Sequence, residues 1–222
     1  MELWQRNFQL WLASIDMNMI ATALVIMAAA YLVGSINTSI IVGKLKSNID
    51  IRDHGSGNAG MTNAMRTMGK KAGVLVLLGD ALKAAIVLTA VRLVFRDETA
   101  MYTYLYAAGM GAVLGHNFPI FFKFKGGKGI VVSSVVIFFA SWPVGLGSLA
   151  VGLIIILTTK YVSLGSILGG ISAVGFAFIF NRGNMQLVAF LAFLAILSIK
   201  MHRENIARLF NGTENKVGRK KE

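Results

Sequence analysis

Cysteine is missing from this chain, proline occurs twice, and acidic residues number 10 against 22 Lys and Arg. Without thiols there is no disulfide, no thiolate nucleophile and no cysteine-ligated metal. The three histidines, His54, His116 and His202, lie far apart and show no His-x-x-x-His type of spacing, so no metal site is expected. No Ser-His-Asp grouping is visible, and few acids are available for a paired-carboxylate site. Charged residues of either sign are scarce: they make up 14% of the chain, where a soluble domain carries about 25%. A further soluble domain is therefore not expected.

What fills the chain is apolar: 55% of its 222 residues are hydrophobic, and the mean hydropathy is +0.66. Long apolar segments run over Met19–Val42, Gly73–Phe95, Met101–Phe122, Gly129–Trp142, Pro143–Thr159, Ser163–Phe180 and Met185–Ile199. A full span needs about 20 residues, so the fourth and seventh are short. Pro143 suits the first turn of a new helix and separates the fourth from the fifth. The first segment has the Ala28-Ala29-Ala30 look of a signal-peptide cleavage site. Its run continues through Tyr31-Leu32-Val33, however, which favours an uncleaved helix.

The net charge of +12 is read as topological, not as a nucleic-acid surface. Seventeen Lys and Arg fall on one side if the loop after the first segment is cytoplasmic: Lys44 to Lys71 there, Lys123, Lys125 and Lys128 in a second loop, Lys160, and the tail from Lys200 to Lys221. Arg6, Arg96 and Arg182 remain outside, while Lys83 and Arg92 lie within the second segment. The expected fold is thus an all-α integral membrane protein, a bundle of seven transmembrane helices with its N-terminus outside and its C-terminus cytoplasmic. Residues 1–18 form an N-terminal interfacial segment carrying Trp4, Phe8, Trp11 and Leu12, residues 19–210 the transmembrane domain, and residues 211–222 a basic cytoplasmic tail.

Two polar loops share the cytoplasmic face. Ile51–Gly69 packs Gly55, Ser56, Gly57, Asn58, Gly60, Thr62 and Asn63 between Arg52 and Arg66. Lysines alone would satisfy topology. Glycines permit turns in which successive N–H groups face an anion, and Arg66 can grip phosphate with its planar fork. The second loop, Phe124-Lys125-Gly126-Gly127-Lys128-Gly129, precedes an apolar run as a helix N-terminus would, without the spacing of a nucleotide P-loop. Chemistry on a phosphorylated small molecule at a membrane surface follows. Elsewhere the residues support plainer readings. Asp80 and Lys83, three apart inside the second segment, suit a mutual ion pair. His116 suits a structural hydrogen bond. His202 and Asn205 share one helical face at what reads as a solvated helix end.

Taken together and in order, several strings resemble the acyl-phosphate-dependent glycerol-3-phosphate acyltransferases of bacteria, the PlsY family. They are Tyr31-Leu32-Val33-Gly34-Ser35-Ile36, Asp50-Ile51-Arg52 with Gly55–Asn63 and Arg66, Gly115-His116-Asn117-Phe118-Pro119 with Phe124–Gly129, Tyr161–Ile167, and His202-Arg203-Glu204-Asn205-Ile206 with Arg208-Leu209. The resemblance spans Tyr31 to Lys216. It implies an inner-membrane enzyme, open to the cytoplasm, that moves a fatty acyl group from acyl phosphate to the 1-hydroxyl of glycerol 3-phosphate. The products are lysophosphatidate and phosphate, and the enzyme needs neither cofactor nor protein nucleophile. By match to the family's motifs, Lys128, Arg66, His202 and Asn205 are the catalytic candidates. Ser56, Gly57, Asn58, Thr62, Asn63 and Ser166 join them in binding substrate, with Ser35, Arg52 and His116 as secondary candidates. The partners are the two small substrates and the bilayer, with no nucleic acid. An enzyme supplying acyl phosphate is a further candidate partner. The chain departs from the family at Asn37, where Pro is frequent, at Met61 in place of Ala, and at Val131-Val132 in place of Ala-Thr. The alternative class is a phosphate or organophosphate transporter. It should show internal repeats, and the one echo here, Val33-Gly34-Ser35-Ile36 and Leu164-Gly165-Ser166-Ile167, is weak.

Overall fold

A computed structural model describes residues 5, 6, 9, 16–96 and 98–217, with the backbone alone at 98 and 99. Of the expected interfacial segment, the residues that carry the expectation, Trp4, Phe8, Trp11 and Leu12, lie outside the described residues, as does the end of the tail beyond 217. The described residues form helices and no strand. They group into two compact units, an amino-terminal one over Ile15–Val136 and a carboxy-terminal one from Ile137 onward that also takes in the described residues before Ile15.

The amino-terminal unit opens with α1 (Met17–Gly34), whose first turn is capped by the Asp16 carboxylate accepting from the Met19 N–H at 2.6 Å. The first apolar segment was expected to be one helix, and it is two. Asn37 adopts an extended conformation, and its side-chain oxygen accepts from the Ile40 N–H at 3.1 Å, which starts α2 (Thr38–Ser47) afresh. The residue that departs from the family pattern is therefore the cap of a new helix. A short 3-10 turn over Ile51–Asp53 leads to α3 (Met61–Met68), and Gly69 at φ +87° turns the chain directly into α4 (Lys70–Val94). Next comes α5 (Glu98–Asn117). The third segment was expected to run to Phe122, but its helix stops at Asn117. Pro119 has no N–H to continue the ladder and disfavours helical backbone at Phe118. A 3-10 turn, Ile120–Phe122, follows, and then α6 (Ile130–Ala140).

Small residues let α1 and α5 touch backbone to backbone. A Cβ on Gly34 would meet the Ala112 backbone, and one on Gly115 would meet the Tyr31 carbonyl and lie 2.8 Å from the Ser35 nitrogen. In lipid, such close approach supplies the dispersion contact that holds helices together. The Tyr31 hydroxyl adds a hydrogen bond to the Phe118 carbonyl at 2.7 Å.

The carboxy-terminal unit contains α7 (Trp142–Thr159), with Pro143 in its first turn as expected, α8 (Val162–Phe180), α9 (Met185–Met201) and α10 (Arg203–Phe210). Between α7 and α8 the approach is again through glycine: a Cβ on Gly169 would stand 3.0 Å from the Ser148 carbonyl oxygen.

Among the described residues, four stretches are long and apolar enough to cross a membrane: Met17–Ser47, α4, α7 and α8. The pair α9 and α10, bent by 62°, makes a fifth if counted as one span. Each of the seven expected segments contains a helix, but α6 has only 11 residues. The outward faces are apolar, as a lipid environment asks: Leu78, Leu82 and Ile86 on α4 and Leu153, Ile154 and Leu157 on α7 are all exposed.

Candidate active site

In the amino-terminal unit the loop after α2 is organised by its own side chains. Asn63, buried on α3, donates from Nδ2 to the carbonyls of Ile51 (3.2 Å) and His54 (2.9 Å), and its Oδ1 accepts from the Ser56 N–H at 2.9 Å. Gly55, at φ +64°, lies against it so closely that a Cβ there would collide with the Asn63 oxygen. The Gly57 and Gly60 N–H groups donate to the His54 and Asn58 carbonyls. The expected ring of N–H groups turned toward an anion is therefore not what Ser56, Gly57 and Gly60 provide. A loop without regular structure must still satisfy its backbone, and this one does so internally. It presents side chains instead: Ser56 and Arg66 are exposed, and Asn58 and Thr62 are half-buried.

Arg52 is similarly committed. Its guanidinium makes a two-pronged contact with the Asp50 carboxylate, 2.9 Å from Nε and 2.7 Å from Nη2. The remaining nitrogen donates to the carbonyls of Phe122 (2.8 Å) and Lys125 (3.3 Å). It thus ties the first loop to the turn that leads into Gly126-Gly127-Lys128-Gly129. Hydrogen bonding by Arg52 holds the Asp50 carboxyl down from its ordinary 3.8 to about 2, and Asp50 in turn raises Arg52. For an acid whose folded value is depressed, the stabilisation is present above the unfolded value and lost as pH falls toward the folded one. Lowering pH from 5 to 3 should therefore cost about 1 kcal/mol at most and drop the thermal midpoint by about 2–4 °C. Asp50→Asn should lack this increment. Identical acid profiles for the two proteins would show that the pair is not formed in solution.

The second loop is seated on the end of α5. The Gly126 N–H donates to the Asn117 carbonyl at 3.2 Å and the Gly127 N–H to that of His116 at 3.1 Å. These two N–H groups, like those of the first loop, are already used. A Cβ on Gly127 would strike His116 Nε2 and sit 2.6 Å from the Ala59 carbonyl oxygen. Only glycine fits where the two loops meet. Lys128 follows, half-buried, and Gly129 at φ +75° turns the chain into α6, which begins at Ile130 as a helix N-terminus was expected to. Asn117 is 1% exposed, and its amide atoms have no hydrogen-bond partner among the described residues. A Cβ on Gly129 would lie 2.5 Å from its oxygen. Asn117 is not among the site residues expected from the sequence, although it stands in the Gly115–Pro119 motif. Ser35, also buried, accepts at 3.4 Å from the Ile120 N–H. The unit thus gathers both loops, Arg52, His116 and Ser35.

In the carboxy-terminal unit the plain reading of His202 and Asn205 as a solvated helix end is overturned: they are 2% and 7% exposed. The bend between α9 and α10 falls at His202, whose Nδ1 stands 2.8 Å from the Ser198 carbonyl. A carbonyl only accepts, so Nδ1 carries the hydrogen and Nε2 is the basic nitrogen. Asn205 donates to Glu214 Oε1 at 2.6 Å. Glu214 also accepts from the Ser163 hydroxyl and from Arg208 Nε, each at 2.8 Å. Burial pushes its carboxyl up, but the hydrogen bonds from Asn205, Arg208 and Ser163 outweigh burial and hold it below the usual range. The beginning of the supposed tail is thus anchored, and the Val217 N–H donates to the Lys160 carbonyl at 2.9 Å. Ser166, half-buried, lies on α8 one turn beyond Ser163.

A family model for glycerol-3-phosphate acyltransferase matches residues 24–212. The chain belongs to the glycerol-3-phosphate acyltransferase family. A glycerol-3-phosphate acyltransferase of Alkaliphilus metalliredigens (strain QYMF) is 44% identical over 199 residues, covering 89% of this chain and 97% of the relative. One from Bacillus subtilis (strain 168) is 45% identical over 188 residues, covering 85% and 94%. Among solved structures, the crystal structure of PlsY, an integral membrane glycerol 3-phosphate acyltransferase, in its glycerol 3-phosphate form is similar at a TM-score of 0.80. It shares 42% identity, with 88% of this chain and 96% of that one covered. Its lysophosphatidic acid form is similar at 0.77. The acyltransferase described here is accordingly a multi-pass membrane enzyme acting on glycerol 3-phosphate in phospholipid synthesis.

Proposed function

We propose that this acyltransferase uses acyl phosphate as donor and transfers the acyl group directly to glycerol 3-phosphate. The 1-hydroxyl oxygen attacks the acyl carbonyl carbon, the bond from that carbon to the phosphate oxygen breaks, and the departing phosphate takes the hydroxyl proton. Lysophosphatidate and inorganic phosphate result. Lys128 and Arg66 hold the two phosphates and neutralise the charge that grows on the acyl oxygen and the leaving group. The Gly-rich loops set their positions, so the site works by proximity and electrostatics. Ser56, Gly57, Asn58, Thr62 and Asn63 bind substrate beside them, with Ser35, Arg52 and His116 as supporting groups. In the carboxy-terminal unit Ser166, His202 and Asn205 are the polar groups assigned to substrate.

The observation that carries the reading is the seating of the Lys128 loop against the Ser56–Asn63 loop at Gly127. Direct transfer is further supported by what the acids do. Asp50 is taken by Arg52, Asp80 by Lys83 and Glu214 by Arg208. The Nδ1 of His202 faces a backbone carbonyl, not a carboxylate that would orient it as a base for serine. The purified enzyme in lipid vesicles, given palmitoyl phosphate and glycerol 3-phosphate, should form lysophosphatidate, identified by mass. Turnover with acyl-CoA but not with acyl phosphate would sink the donor assignment. Incubated with radiolabelled acyl phosphate alone, the denatured protein should carry no covalent label. A stoichiometric acyl-serine would refute direct transfer.

The charge asymmetry supports seven spans in a bacterial inner membrane, with the N-terminus outside and both loops in the cytoplasm. The native chain has no cysteine, so a single one introduced at 96 or at 125 reports cleanly. An impermeant thiol reagent on intact cells should label 96 and spare 125, and the reverse pattern would invert the topology.

A further inference from the structure

Asp80 and Lys83 form a buried pair on α4 that the proposed chemistry leaves unused. They are 2% and 7% exposed. A charge pair in that position is costly unless its donors and acceptors are matched. For Lys83 the match is complete. Its ammonium has three hydrogens and three acceptors: Asp80 Oδ1 at 3.0 Å, the Ile36 carbonyl at 2.8 Å and His116 Nδ1 at 3.0 Å. A protonated lysine only donates, so Nδ1 of His116 accepts and the imidazole hydrogen sits on Nε2. Asp80 Oδ1 also accepts from the Thr38 hydroxyl at 3.1 Å, and it lies 3.6 Å from His116 Nδ1. Ile36 and Thr38 flank Asn37 in the break between α1 and α2, where helical carbonyls lose their own partners. The pair therefore joins α4, that break and the end of α5.

The end of α5 is also the seat of the lysine-bearing loop. His116 takes the Gly127 N–H on its carbonyl, and its Nε2 lies where a Gly127 side chain would begin. With no slack between them, the setting of the His116 ring fixes Gly127, and the next residue is Lys128. An ion pair serving stability alone would need only its two members. This one spends a lysine hydrogen on the imidazole beneath the loop. We propose that Asp80 and Lys83 are positioning residues for glycerol 3-phosphate, with Lys83 holding His116 so that Gly127 and Lys128 stand where the substrate phosphate is bound. The proposal rests on the reading that Lys128 holds one of the two phosphates, and it takes that one to be the phosphate of glycerol 3-phosphate.

The test compares the full chain, purified in detergent, with Lys83→Met, Lys83→Arg and Thr38→Val. Three things are measured: the KM of each substrate, kcat, and the binding of glycerol 3-phosphate by calorimetry without donor. Lys83→Met should raise both the KM and the Kd of glycerol 3-phosphate on the order of tenfold, since displacement by a fraction of an ångström is felt at a positioned site. The KM for acyl phosphate should stay within about twofold of the wild type. Lys83→Arg should recover part of the loss. Thr38→Val, which keeps its shape and removes one hydrogen bond to Asp80, should give a smaller rise in the same sense, and it decides the matter if Lys83→Met does not fold. Folded variants with wild-type values for glycerol 3-phosphate, or with equal rises for both substrates and a lowered thermal midpoint, would overturn the positioning role. A wild-type enzyme that binds glycerol 3-phosphate yet makes no lysophosphatidate from acyl phosphate defeats the proposed donor only, and calorimetry then decides on Lys83. A wild-type enzyme that binds no glycerol 3-phosphate overturns both.

Discussion

Lys128→Ala is expected to lower turnover at least ~100-fold, and Arg66→Ala to do the same, the scale on which loss of a preorganised charge stabiliser is felt. The prediction follows from where the two side chains stand. Lys128 is half-buried between Gly127, which cannot bear a Cβ, and Gly129, whose φ of +75° favours glycine. Its backbone has little freedom, so the point from which its side chain starts is fixed. Arg66 is exposed on α3, on a turn whose neighbours Asn63 and Ala64 are buried, so the helix is fixed while the guanidinium is presented outward. Neither side chain fills an apolar core. Circular dichroism and the thermal midpoint of both variants should therefore match the parent within about 0.5 kcal/mol, as for surface substitutions. Lys128→Arg is expected to recover only part of the rate, because a planar fork does not reproduce a compact ammonium. Both alanine variants turning over at near-parental rates would remove phosphate gripping from the mechanism.

Much of this architecture could be read from residue patterns, and the misreadings have physical causes. Apolar runs and turn residues marked where helices occur: Pro143 began α7, and the Gly126–Gly129 loop led into a helix. The break at Ser35–Asn37 was missed because Ser35, Asn37, Thr38 and Ser39 are small polar residues inside a run that is apolar again from Ile40 to Val42. A cap made by one amide changes the course of the backbone without changing hydropathy. The Asp80–Lys83 pair was legible from spacing alone, but its attachment to Ile36, Thr38 and His116 was not, since those partners are 33 to 47 residues away. In the loops, composition correctly pointed to tight turns but not to where the N–H groups would go. Asn63 and the end of α5 consume several of them. That Arg52, a secondary candidate, gives its fork to Asp50 two residues earlier could not be read from the sequence.

Glu214 was the residue most thoroughly hidden, since it sits in a stretch whose net charge reads as a basic tail. Its side chain is 6% exposed and accepts from Asn205, Arg208 and Ser163, which belong to α10 and α8. Glu214→Ala should therefore be strongly destabilising. Each hydrogen bond to a charged group contributes about 1.5–3 kcal/mol, and deleting the acceptor leaves the Asn205 amide and the Ser163 hydroxyl without it. Arg208 is 35% exposed, so water compensates its share. A loss of about 2–4 kcal/mol remains, which should lower the thermal midpoint by roughly 4–16 °C in a chain of this size. Turnover should fall as well, even at temperatures where the variant is folded, because Asn205 is held by that carboxylate. Glu214→Gln separates the two effects. Its amide oxygen can still accept from Asn205 but carries no charge for Arg208, so it should retain more activity than stability. Because the carboxyl is held below its usual range, the parent should lose this stabilisation as pH falls through the acid range, whereas Glu214→Gln should not. An alanine variant with the parental midpoint and rate would show that the contact at Asn205 is incidental.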